Sequence, residues 1–126
     1  MKSISTLRKQ GGVVLLEGLI AMTIFAFGVL AIVGMQAATS RAAGDAKYRV
    51  DASFLVNQSL GLIWADRANA NSYAVSNQVI ASLPNGKRTI AVTQTATDTQ
   101  VTVTVTWQLP GESTVHSHSS FTRING

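Results

Sequence analysis

Few residues in this chain have the chemistry to act on a substrate. His116 and His118 stand two apart, a spacing that puts both imidazoles on one face of a strand and makes them a first guess at a metal site. No third ligand lies near them in sequence, so no metal is expected. Ser113, Ser117, Ser119 and Ser120 surround the pair. No serine has a G-x-S-x-G elbow, and the nearest acid, Glu112, falls in a turn, so these residues read as the polar side of an edge strand. With no cysteine, thiolate catalysis and disulfides are excluded. No glycine-rich phosphate loop is present, and the Lys87-Arg88 pair is too small for a nucleic-acid surface. Neither an enzyme nor a cofactor is indicated. The residue that calls for explanation is Glu17, the single charge between Val13 and Met35.

That run, VVLLEGLIAMTIFAFGVLAIVGM, has 23 residues. As a helix it reaches roughly 34 Å, enough to cross a bilayer. It exceeds the 7 to 15 residues or so of a cleaved signal sequence, so it is expected to remain attached. A carboxylate at the centre of such a span costs about 2.5–3.5 kcal/mol on insertion scales, and one near an end reaches the interface. The whole chain is 46% hydrophobic and 13% charged, with a net charge of +4. Three of the cations, Lys2, Arg8 and Lys9, precede the apolar run, and from Val13 onward 7 basic minus 6 acidic residues leave +1. A nucleic-acid binder would carry its basic stripe on the folded part. The positive-inside bias instead puts Met1–Gly12 in the cytoplasm and residues 36–126 across the membrane, in the periplasm of a bacterium.

The string Lys9-Gln10-Gly11-Gly12-Val13-Val14-Leu15-Leu16-Glu17 resembles the processing signal of type IV pilins and pseudopilins: a basic leader, a glycine before the cut, an apolar helix and a glutamate fifth in the mature chain. The resemblance implies that prepilin peptidase cuts between Gly12 and Val13 and N-methylates Val13, which stands where the family usually has Phe or Met. It also implies that Glu17 serves assembly by neutralising the terminal amine of a neighbouring subunit. Gly34, twenty-second after the cut, stands where major pilins carry a helix-loosening proline; with Gly28 and Gly44 it punctuates the helix.

Beyond the span, residues 36–68 contain no proline and are expected to continue the helix. Tyr48, Ala52, Leu55, Val56, Leu60, Leu62 and Ile63 share one arc, so only this half should lie against a head. Phe54 falls opposite the arc and is a candidate subunit contact, as are Asp66 and Arg67 at the helix end, read as a surface charge pair. From Asn69 the period changes to two. After the turn Leu83-Pro84-Asn85-Gly86, strands are expected over 87–96, with Ile90 and Val92 on one face, over 101–109, and over 114–124. In the second, Val101, Val103, Val105, Trp107 and Leu109 alternate strictly with polar residues; in the third, Val115 and Phe121 are expected to point inward. Such a three-stranded meander needs the helix stripe to cover it.

The expected fold is therefore α+β and pilin-like: a leader over 1–12, a transmembrane and assembly helix over 13–35, its periplasmic continuation over 36–68, and a small antiparallel β head over 69–126. The stretch Ala65 to Tyr73 and the valine-threonine strand carrying Trp107 resemble minor pilins of the PilV group. That resemblance implies an inner-membrane prepilin that becomes a minor pilus subunit in assembly and initiation. Its partners would be other minor and major pilins, prepilin peptidase and the pilus assembly platform. A minor pseudopilin of type II secretion shares the leader and helix, and a single-pass anchored periplasmic domain that never polymerises is the reading in which Glu17 is incidental.

Overall fold

The computed structural model describes Leu7 to Asn125, with side chains from Gly11 onward. Met1 to Thr6, and the side chains of the leader cations Lys2, Arg8 and Lys9, lie outside the described residues. Helix α1, Leu7–Ala65, is followed by a 3-10 helix, Arg67–Tyr73, and by strands β1 (Val75–Ile80), β2 (Gly86–Gln94), β3 (Thr99–Trp107) and β4 (His116–Ile124). The chain divides between Ala43 and Gly44 into two compact units.

In the first unit every described side chain from Gly11 to Ala43 is exposed. Among the described residues no packing accounts for so long an apolar surface.

In the second unit the remainder of α1 buries one face. Ala52, Val56, Ser59 and Ile63 recur at helical spacing and are closed to solvent, with Tyr48, Leu55 and Leu60 half-buried at the margins. They cover the inward face of a four-stranded antiparallel sheet of order β1-β2-β3-β4, where Ile90, Val101, Val103, Val105, Trp107 and Ile124 complete the core. Burying each Val or Ile side chain contributes roughly 1.5–3 kcal/mol. Ala70 of the 3-10 helix and Leu83 of the β1–β2 turn also belong to this core. This is an α+β layout, a long apolar N-terminal helix packed on a small antiparallel sheet, consistent with a pilin-like fold.

The structure corrects several sequence-based expectations. The sheet has four strands; the added one, β1, carries a bulge between Val75 and Gln78, with Asn77 at φ 52°. Helix α1 stops at Ala65, short of residue 68. Leu62 is 54% exposed, because the covered arc is centred on Val56 and Ile63 and is narrower than the apolar arc in the sequence. Val115 and Phe121 point outward, at 60% and 53% exposure. Pairing of Val101 with Thr122, Val103 with Ser120 and Val105 with His118 fixes the parity of β4, so its even-numbered residues share the inward face with the valines of β3.

Candidate functional site

In α1, Glu17 shares a face with Val13, Leu16, Ile20, Ala21 and Ile24, the residues that line a shallow apolar furrow around it. Among the described residues the ion pairs are His116–Glu112 and Arg123–Asp98, and Glu17 is in neither. A carboxylate set in an exposed apolar face is a ready acceptor for a cation brought by another molecule in a poorly solvating setting. The Gly12–Val13 bond lies inside α1, and open space surrounds both Gly11 and Gly12. The segment Gly11–Ala65 is one helix long and apolar enough to cross a membrane, near the N-terminus.

The three candidate contacts in the second unit differ in character. Phe54 is 64% exposed on the flank of α1 nearest β4 and, with Val50 and Arg49, lines a cleft closed on its other side by Trp107 and His118. Arg67 is exposed, whereas Asp66 is half-buried and engaged within the chain. Its carboxylate accepts from Asn69 Nδ2 at 2.8 Å and from the Tyr73 hydroxyl at 3.2 Å. Asp66 thus braces the 3-10 helix, and the charge pair expected with Arg67 is replaced by these hydrogen bonds. Burial, then the hydrogen bond to Asp66 and its negative charge, raise the Tyr73 phenol above its ordinary pKa.

His116 and His118 do share a face, the inward one. His116 Nε2 lies 3.0 Å from Glu112 Oε2, and its ring stacks on Trp107 with centroids 5.7 Å apart. Among the described residues no cluster of three potential metal-ligating side chains forms. Ser119 Oγ sits 2.9 Å from Thr104 Oγ1 in a cross-strand hydroxyl pair on the outer face. Lys87 is exposed, while Arg88 turns inward, and the two do not act as one basic patch.

Two helix–sheet ties were missed in the sequence. Arg88 Nη1 donates to Ser59 Oγ at 3.1 Å, and Trp64 Nε1 donates to Thr122 Oγ1 at 3.2 Å. The parity of Arg88 with Ile90, and the place of Ser59 midway between Val56 and Ile63, carried that signal. No protein-family model, curated protein or solved structure matches this chain.

Proposed function

We propose that this protein is a minor subunit of a type IV pilus, made as an inner-membrane prepilin, cut between Gly12 and Val13, N-methylated at Val13 and taken into the filament through its apolar helix. The observation that carries the reading is the position of Glu17. It is fifth after a glycine-flanked bond, in the apolar furrow of a helix half that none of the described residues covers. A terminal amine about 4 Å from that carboxylate, at an effective dielectric near 20, would be attracted by roughly 4 kcal/mol, which offsets the cost of holding Glu17 in an apolar setting. Such a pair specifies how neighbouring helices register. The head then offers Phe54 and Arg67, with Asp66 bracing the 3-10 helix beside Arg67, to neighbouring pilins during initiation at the assembly platform.

Co-expression with a prepilin peptidase tests the assignment by intact mass. The expected product has lost Met1–Gly12 and gained one methyl at Val13. A chain that stays uncut, or begins at another residue, removes the basis for a pilin and leaves a membrane-anchored periplasmic domain. Correct processing, with normal piliation but defective secretion in a deletion strain, assigns the subunit to a type II secretion pseudopilus.

A further inference from the structure

The two edges of the sheet are protected very differently. Strand β1 is short, bulged at Asn77 and therefore a poor template for a further strand. Strand β4 spans nine residues, His116–Ile124, pairs with β3 in unbroken register and contains no proline, and its sole Lys or Arg, Arg123, stands next to last. Every second residue of such an edge turns its N–H and C=O away from the sheet. Among the described residues, no backbone hydrogen bond from another element reaches that side of β4.

Exposed apolar side chains flank this open edge on both faces. On the helix side Val50 and Phe54 are 67% and 64% exposed, and Trp64 leans over β4 through its bond to Thr122. On the outer side stands Phe121. The cleft beneath Phe54 has a volume of about 500 Å³, and Arg49 and His118 are among the residues that line it. The acid nearest in sequence, Glu112, is held by His116.

We infer that the β4 edge and the α1 flank form a strand-addition groove that takes an extended segment of a different protein chain, apolar at alternate positions and carrying a carboxylate opposite Arg49. The main-chain groups of β4 dictate an extended occupant, Phe54 and Trp64 dictate its apolar face, and Arg49 dictates its charge. A second copy of this chain is the poorer fit. Its β1 edge is bulged, and its β4, His-Ser-His-Ser-Ser-Phe-Thr-Arg-Ile, has no carboxylate to offer. The inference stands on the head alone and does not depend on processing at Gly12 or on polymerisation.

The test uses the full chain in detergent micelles and a short synthetic peptide of alternating valine and threonine. The peptide is N-methylated along one edge, so that it cannot pair with itself, and carries a C-terminal glutamate, the end that an antiparallel strand brings to His118. Hydrogen exchange should slow at the amides of β4 that face away from β3, with β1 unchanged. Phe54→Ala, at an exposed position, should weaken binding about tenfold. Arg49→Glu should reverse the preference, favouring a peptide that ends in lysine. Unchanged exchange in β4, protection confined to β1, indifference to Arg49→Glu, or self-association of the chain through β4 without peptide would each overturn the proposal.

Discussion

The guanidinium of Arg88 donates through Nη1 to Ser59 Oγ at 3.1 Å, while its Nε, at 3.1 Å, and Nη2 both hold Gln78 Oε1. One side chain thereby joins β1, β2 and α1, and the Ser59 hydroxyl itself donates to Leu55 O at 2.8 Å. A cation inside a helix–sheet interface is tolerated only when its donors are occupied, and here neutral oxygens supply the partners.

Arg88→Met should therefore destabilise the head by about 1–3 kcal/mol, since Ser59 and Gln78 each lose a charged donor. Combined with Ser59→Ala in a double-mutant cycle, the pair should show a coupling of about 0.5–3 kcal/mol. Denaturant unfolding of the full chain, followed by Trp fluorescence, measures both. Strict additivity would mean that the bond contributes nothing.

Gly86→Ala should unfold the β1–β2 turn. A Cβ there would stand 2.7 Å from Leu83 Cβ and 2.8 Å from Ile80 O, against a buried side chain and a backbone carbonyl. The expected cost is about 1–3 kcal/mol, or roughly 4–8 °C in Tm for each kcal/mol. Gly34→Ala provides the contrast: nothing lies within 4 Å of the new Cβ, and the head's melt should not move.

Tyr73 makes stability fall at alkaline pH. Its phenol is raised in the folded state, so the proton is held more tightly there than in the unfolded chain. The resulting stabilisation is complete below the ordinary tyrosine pKa of about 10 and disappears as pH rises through the higher folded value. Tyr73→Phe should flatten the decline in Tm between pH 9 and 12 relative to wild type. An equally steep decline in the variant would assign it to other groups.

Glu17→Ala should leave the thermal unfolding of the head unchanged, because Glu17 is exposed, belongs to the first unit and is in neither ion pair of the head. On the proposed pilin reading, recovery of the chain in sheared filaments should fall. Wild-type recovery would exclude the amine–carboxylate pair as an assembly device.

Strand β3 could be read directly, since four apolar residues alternate with threonine and all four are buried. Strand β1 could not. Val-Ser-Asn-Gln-Val-Ile offers no alternation, its middle is exposed, and the left-handed Asn77 shifts the phase halfway. In β4 the aromatic and branched residues suggested one inward face, but the register with β3 chose the other and left His116, His118, Ser120 and Thr122 inside the helix-side rim. Local polarity was outweighed by cross-strand pairing. At the candidate site, Glu17 was legible as a lone acid in an apolar run. The role of Asp66 was hidden because its partners, Asn69 and Tyr73, meet it only through the 3-10 turn.

The boundary at Ala43/Gly44 separates two kinds of constraint on the gene. A substitution after Gly44 is judged by whether the head still folds, and a core change such as Ile63→Ala is paid for in every molecule at about 2–5 kcal/mol. Between Gly11 and Ala43 no side chain supports the fold, so a substitution there goes unnoticed until the helix meets lipid or another helix. Drift in that segment is policed wholly by its surroundings, and the two halves can diverge at rates that have nothing to do with each other.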